Sequence, residues 1–277
     1  MDNPITPVLR LDEIRSVPTP CDPCVPRAWS GGAGPAVVLL HGGGPDHHSL
    51  LPLAGRLGAG RTVVLPDIRG FGRSVCAHEE HHTWSRYAAD VVALLDRLEV
   101  ERAVLAGTGL GSTIALRTAL EHPARVRAVA AISPEDIEDD AAKEAERVFF
   151  EEFAARVRAG GVAAGWEPVL PRLHPLIGNL VREAVPRADA GSLAAFCAIG
   201  RDRAFRSVDS LAGITAPVLI VPGADVRHPT ALAERMAAAL PRGRCHPVPL
   251  PSGIRTAREL AVAMGPVMAD FLAGAGS

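Results

Sequence analysis

A chain of 277 residues, 48% of them hydrophobic and 22% charged, is long enough for one large domain or a core with an insertion. A formal net charge of −2 provides no basic field for nucleic acid and no polybasic membrane patch, and no apolar run reaches the ~20 residues of a membrane span. The five cysteines are an odd count, and Met1-Asp2-Asn3-Pro4 lacks the basic and apolar regions of a signal peptide. Both features lead us to expect free thiols in a reducing cytoplasm. Cys21-x-x-Cys24 has no second pair of this kind and reads as a loop with two thiols.

In chain order, Val8-Leu9-Arg10-Leu11 is a strand candidate, followed by a proline-rich loop and Trp29-Ser30-Gly31-Gly32. Ala36 to Leu40 is a continuous apolar run, the mark of a strand covered on both faces, and it leads into His41-Gly42-Gly43-Gly44-Pro45. Ser49 to Leu57 predicts a helix. Arg61 to Pro66 predicts a second buried strand, ending in Asp67-Ile68-Arg69-Gly70-Phe71-Gly72-Arg73-Ser74. Trp84 to Leu98 has helical spacing. Ala103 to Thr108 then reads as a strand and Leu110 to Leu116 as a helix, with Gly109 at the turn between them. Val126 to Ser133 is another apolar strand.

This alternation predicts an α/β fold with a mostly parallel, doubly wound sheet. It breaks from Glu135 to about Ser210, where no strand is convincing. Asp139 to Arg158 is helical with a turn at Gly160-Gly161, and Gly191 to Phe205 is helical again. The rhythm resumes with the strand Pro217 to Pro222, the helix Pro229 to Leu240, the strand Cys245 to Leu250 and the helix Thr256 to Leu272. We therefore expect a core of residues 1–134 and 211–277, with residues 135–210 as a helical lid over the carboxyl ends of the strands.

The stretch Gly107-Thr108-Gly109-Leu110-Gly111 has the framework of a nucleophile elbow, G-x-S-x-G, with glycine where the serine belongs. With the glycine loop after the first buried strand and the Asp67–Ser74 segment, it resembles the α/β-hydrolase fold superfamily, its proline iminopeptidase- and esterase-like members in particular. The resemblance covers about residues 35 to 273. It implies that Gly43, Gly44 and Leu110 supply oxyanion-type backbone donors, and that Asp67–Ser74 is structural. It also implies that Asp225, just past a strand, stands in the place of the triad acid, unless it merely caps the next helix. The triad histidine falls at Ile254, so the nucleophile and histidine places, Gly109 and Ile254, are both lost. Thr108 and Ser112 carry hydroxyls near the turn, but their side chains leave it in other directions. His228, three residues past Asp225, is the surviving general-base candidate.

His41, His47, Thr108, Trp84, Trp166 and Phe196 are expected to border the pocket. Trp166, Phe196, Cys197 and Phe205 either line a cavity or hold the lid helices together. The pairs His47-His48 and His81-His82 read as exposed loop histidines rather than metal ligands. The glycine spacing is not G-x-G-x-x-G and no phosphate-binding lysine is present, so no cofactor and no metal is expected; the partner is a small molecule, with no nucleic acid and no membrane. The leading reading is a non-hydrolytic enzyme (cyclase, lyase or isomerase) acting on a small apolar metabolite in specialised metabolism. The alternatives are a catalytically silent ligand-binding protein and a hydrolase with an unorthodox nucleophile.

Overall fold

A computed structural model describes residues 9–15, 24, 26–135, 140–223 and 228–275. Eight strands form one sheet: β1 (Asp12–Arg15), β2 (Arg27–Gly32), β3 (Ala36–Leu40), β4 (Thr62–Pro66), β5 (Ala103–Thr108), β6 (Val126–Ile132), β7 (Val218–Val221) and β8 (Gly243–Cys245). Their spatial order is β1-β2-β4-β3-β5-β6-β7-β8. β1 and β2 pair antiparallel, and every pairing from β4 to β8 is parallel.

Alternate residues of the apolar strands feed two separate cores, as the two-residue period of a strand requires. Val38, Leu40, Leu105, Val129 and Ile220 pack under α2 (Trp84–Arg97), α3 (Leu110–Glu121) and α7 (Thr230–Ala239). Val37, Leu39, Val104, Leu219 and Val221 pack on the opposite face against α1 (Leu51–Leu57) and α8 (Ala257–Ala275). This is the doubly wound arrangement that the strand–helix alternation predicts. Between β6 and β7 the described chain is all helical: α4 (Asp140–Trp166), α5 (Pro175–Ala184) and α6 (Ala190–Phe196), with short 3-10 turns. Gly161 (φ +82°) interrupts α4, as the Gly160-Gly161 pair suggests.

Four expectations are corrected. The first described strand is Asp12–Arg15 rather than Val8–Leu11, and Val8 lies outside the described residues. The stretch around Trp29-Ser30-Gly31-Gly32 forms β2, a half-buried strand between β1 and β4 and antiparallel to both. The last strand is Gly243–Cys245 rather than Cys245–Leu250. Pro247 and Pro249 have no N–H to continue the ladder, so His246 follows the strand instead of beginning it. The helix read over Gly191 to Phe205 ends at Phe196 and tightens into a 3-10 turn over Cys197–Arg201.

The fourth correction concerns the thiols. Cys24 and Cys76 form a disulfide across 52 residues of sequence, because the sheet brings the segment before β2 beside the loop after β4. Cys197 and Cys245 are free among the described residues, while Cys21 lies outside them. The cysteine count therefore no longer argues for a reducing compartment. None of the described helices is long and apolar enough to cross a membrane.

Polar contacts bind the helices after β6 to the sheet's loops. Arg187 holds Asp46 through Nε (2.6 Å) and Nη2 (3.1 Å). Burial works against the charge of Asp46, yet the hydrogen bonds and charge of Arg187 keep its carboxyl below the ordinary range. Glu79 takes Arg158 (2.6 Å) and Arg201 (2.9 Å). The N–H of Cys76 donates to Ser192 (2.9 Å), and the N–H of Trp84 donates to Asp202 (2.9 Å). His82 is buried beneath α6, with Nδ1 2.8 Å from the Tyr87 hydroxyl and Nε2 2.9 Å from the Cys76 carbonyl.

Two predictions follow from this packing. A methyl group on Gly111 would lie 2.3 Å from the Leu40 carbonyl oxygen, so Gly111→Ala should destabilise by about 1–3 kcal/mol. Gly253→Ala, which meets open space, should be near neutral; urea unfolding compares the two. Burial pushes His82 from 6.5 down to about 4. Between those values the unfolded chain takes up a proton that the folded chain refuses, so stability is full above pH 6.5 and falls towards pH 4, by up to about 1.4 kcal/mol per pH unit. The urea midpoint should decline over that window, and more shallowly in His82→Gln.

Candidate functional site

The turn between β5 and α3 is the centre of the site. Gly109 sits at φ +47° and ψ −118°, backbone that a residue with a Cβ adopts only under strain. Its N–H donates to the Ile132 carbonyl (3.0 Å), and its own carbonyl accepts from Ser112 (2.8 Å) and Thr113 (3.2 Å). The turn is thereby clamped to β6 on one side and to the first turn of α3 on the other. The Ser112 hydroxyl is spent on the Gly107 and Ile132 carbonyls, both at 2.7 Å. Ser112 is buried in the clamp and has no route to act as a nucleophile. Thr108 lines the cavity above the turn.

What faces Gly109 comes from two distant parts of the chain. A methyl group built on Gly109 would lie 3.5 Å from Oε1 of Glu135 and 4.0 Å from Nε2 of His228. Those two side chains meet each other, Nε2 to Oε2, at 3.2 Å across 93 residues of sequence. Glu135 follows the end of β6 and His228 precedes α7, so both project from carboxyl ends of parallel strands, where open α/β sheets gather their ligands. Each side chain is 15% exposed. His228 thus reaches the turn, as its candidacy as a base requires, whereas Glu135 was legible only as the start of the lid. The signal that would have found it is its place three residues beyond the apolar parallel strand β6. Asp225 lies outside the described residues.

The glycine loop after β3 forms the other wall. Gly43, Gly44 and Leu110 border the cavity, and a methyl group on Gly43 would lie 3.9 Å from the Leu110 Cβ. The first turn of α3 leaves N–H groups without an intrahelical acceptor, and the helix dipole favours negative charge there. Gly44 (φ +101°) lies beneath Trp166 and Val181; a methyl there would come within 2.8 Å of both.

His41 and His47 do not border the cavity, contrary to expectation. His41 is fully buried, accepting the Ile68 N–H at Nε2 (2.9 Å) and donating from Nδ1 to the Gly42 carbonyl (2.7 Å). Burial lowers its pKa, which favours this neutral form; the residue ties the glycine loop to the loop after β4. His47 stacks on Trp29 (3.5 Å between centroids) and meets Asp67 Oδ1 at 2.8 Å. His47 and His82 are therefore buried structural residues, not exposed loop histidines. Asp67 also accepts the N–H groups of His47 (2.9 Å) and Arg73 (2.8 Å), consistent with a structural role for its segment. Ile254 packs in the core cluster of α1 and α8 and is not part of the cavity wall.

Trp84, Trp166 and Phe196 line the cavity, while Cys197 and Phe205 are buried without lining it. The cavity volume is about 310 Å³, within the usual range for small-molecule sites. Two clusters elsewhere bring metal-ligand atoms within 4.8 Å of one another, Asp46-His47-His48 and His78-Glu80-His81. In the first, Asp46 and His47 are engaged by Arg187 and Asp67. Neither cluster lines the cavity.

A family model described as the α/β hydrolase fold matches residues 35–164. The putative carbamate hydrolase RutD of Variovorax paradoxus is 30% identical over 250 residues, 87% of this chain and 92% of that protein. A 2-hydroxy-6-oxo-2,4-heptadienoate hydrolase of Pseudomonas putida is 35% identical over 102 residues. That match spans 35% of this chain and 36% of the relative, so the chain covers about a third of the length of such relatives. Among solved structures, a thermophilic esterase from Thermogutta terrifontis has a TM-score of 0.78 at 23% identity, covering 97% of this chain and 100% of its own. The enol-lactonase from Burkholderia xenovorans has a TM-score of 0.76 at 23% identity, covering 90% and 97%.

Because the contacts of a Cβ at Gly109 are ordinary ones, Gly109→Ser should fold, destabilised by about 1–3 kcal/mol of backbone strain. Its hydroxyl would then face His228 and Glu135. We expect labelling by a fluorophosphonate at position 109, read by intact and peptide mass, without any change at Ile254. The unaltered chain should show none there.

Proposed function

The chain belongs to the α/β-hydrolase fold family, and from that premise we propose an enzyme whose chemistry is proton transfer by the Glu135–His228 pair rather than acylation of a serine. The observation that carries the reading is the convergence of Glu135 and His228 on the space that a side chain at Gly109 would occupy. In this reading the triad is degenerate, with glycine at the nucleophile place and isoleucine at the histidine place, and His228 takes up the role of base from another position.

The substrate is a small, largely apolar carbonyl compound. Its carbonyl oxygen lies against the N–H groups of the glycine loop and of Leu110, and its α-carbon faces the pair. Glu135–His228 removes the α-proton, and the electron pair of the broken C–H bond moves into the carbonyl to give an enolate. The donors stabilise the charge that develops on the oxygen, and the closed apolar wall strengthens that stabilisation. Return of the proton at another carbon completes an isomerisation. Departure of a β-substituent with the electron pair completes an elimination, and attack of the enolate carbon on a second carbonyl, whose oxygen takes the electron pair and then the proton from the Glu135–His228 pair, completes a ring closure. Each outcome falls in the isomerase, lyase or cyclase class, and none needs a covalent bond to the protein.

A second reading has one observation in its favour: the relatives reported above are named as hydrolases. Here the pair removes a proton from a water molecule at the same place, and the oxygen of that water attacks an ester or related carbonyl.

Deuterium uptake at the α-carbon of 2-tetralone in heavy water, followed by NMR, tests the first reading; p-nitrophenyl acetate tests the second. Accelerated exchange that drops about a hundredfold or more in both Glu135→Gln and His228→Gln is expected. Ester hydrolysis lost in the same variants, without exchange, would favour the water-activating reading. Indifference of both reactions to both substitutions would reduce the site to a binding pocket.

A further inference from the structure

The place above Gly109 opens on the cavity and is faced by a base. Leaving aside the adjoining Thr108 and Leu110, the nearest atom to a methyl built on Gly109 is Oε1 of Glu135 at 3.5 Å, an ordinary contact. Gly109, Glu135 and His228 all line the cavity, so an atom of a ligand can reach this place. The two carboxylate oxygens of Glu135 have different neighbours. Oε2 meets Nε2 of His228 at 3.2 Å, and Oε1 faces Gly109. With the ring hydrogen on Nε2, His228 donates to Oε2 and holds the carboxylate with Oε1 toward the open place.

A carboxylate oxygen aimed at an open place calls for a hydrogen-bond donor there, and the neighbouring hydroxyls of the chain are directed elsewhere. Ser112 gives its hydroxyl to the Gly107 and Ile132 carbonyls. Thr113 gives its own to the Glu135 carbonyl at 2.9 Å. Thr108 turns Oγ1 toward Gly42, where a methyl would stand 3.5 Å from it. The donor at this place therefore arrives with the ligand. Beside it lie Gly43, Gly44 and Leu110, whose N–H groups suit a carbonyl oxygen that gains charge. A hydroxyl oxygen above Gly109 and a carbonyl oxygen at those donors put the carbonyl carbon between them, within reach of attack. When one molecule carries both groups, the attack has an effective molarity of about 10⁵–10⁸ M, far above the concentration of liquid water.

We propose that the substrate brings its own nucleophile: the site converts a hydroxy ester with an apolar body into its lactone. The proposal rests on the proton-transfer reading only in taking Glu135 as the base. Oε1 of Glu135 takes the proton of the substrate hydroxyl, and the electron pair of the broken O–H bond forms the new bond to the ester carbonyl carbon. The carbonyl π pair moves onto its oxygen, where the N–H groups of the glycine loop and Leu110 stabilise the charge. That pair then returns, and the bond to the leaving oxygen breaks. The leaving oxygen takes the electrons of that bond and the proton held by Glu135, and departs as an alcohol. Water is not consumed, and no bond forms to the protein. Phe149, Phe153, Trp166 and Phe196 line the cavity and pack the apolar body, which folds the hydroxyl arm toward the carbonyl.

The test uses methyl ortho-(β-hydroxyethyl)benzoate, which closes to dihydroisocoumarin with release of methanol. Methyl ortho-ethylbenzoate, which lacks the hydroxyl, is the comparison. The full chain, Glu135→Gln and Gly109→Ala are assayed by chromatography with mass detection, in water enriched in heavy oxygen. The unaltered chain should speed lactone formation about a hundredfold or more over buffer and leave the ethyl compound intact. The lactone should carry no oxygen from the solvent. Glu135→Gln should lose about a hundredfold of the rate. Gly109→Ala, checked for folding by circular dichroism, should lose a similar factor because its methyl takes the place of the attacking oxygen. Lactone formation no faster than in buffer, a rate unchanged in Glu135→Gln, or solvent oxygen in the lactone would overturn the proposal. Hydrolysis of both esters at similar rates would overturn it in favour of water activation. Deuterium exchange of 2-tetralone in the unaltered chain without lactone formation defeats this proposal alone. Lactone formation without that exchange defeats proton removal from carbon alone.

Discussion

At the junction of β3, β5 and α3, backbone packs against backbone with no side chain between. A methyl on Gly107 would stand 2.2 Å from the Gly111 carbonyl carbon, and one on Gly111 would stand 2.6 Å from the His41 carbonyl oxygen. This approach sets α3 directly on the strands and points its N-terminus at the space above the sheet. It also leaves Gly109 as the sharp apex of the turn, held by the Ile132 carbonyl. Every functional group discussed above is placed relative to that apex.

Glycine at the apex adopts this backbone with less strain than a residue with a Cβ. The glycine loop borders Leu110, and His41 fastens that loop to the segment after β4. Asp67 gathers the N–H groups of His47 and Arg73 into the same structure. These buried polar residues are hydrogen-bonded, as burial requires.

The helices after β6 close this space through apolar contacts, such as Phe196 against Phe71 at 4.6 Å between ring centroids, and through polar ones. Their polar ties, Arg187 to Asp46, Arg158 and Arg201 to Glu79, and Asp202 to the Trp84 N–H, lie around the perimeter. Aromatic residues of α4 and α6 face the interior. The exposed pairs at Glu79 contribute little stability each, whereas Asp46 is buried beneath Arg187, and together these ties set the position of the cover over the floor.

The amino-acid sequence alone determined the sheet and the apex. Apolar runs at β3, β4, β5 and β6 demand burial on both faces, which helices on each side provide, and the small residues around Gly109 allow a sharp turn there. Tertiary structure alone decided what meets there. Glu135 and His228 are 93 residues apart, and Cys24 and Cys76 are 52 apart. Whether His47 and His82 are exposed or buried likewise depends on loops that pack over them from elsewhere. Local patterning reports the environment that a segment needs, whereas strand order and the path of the helical cover determine which distant side chains share a space.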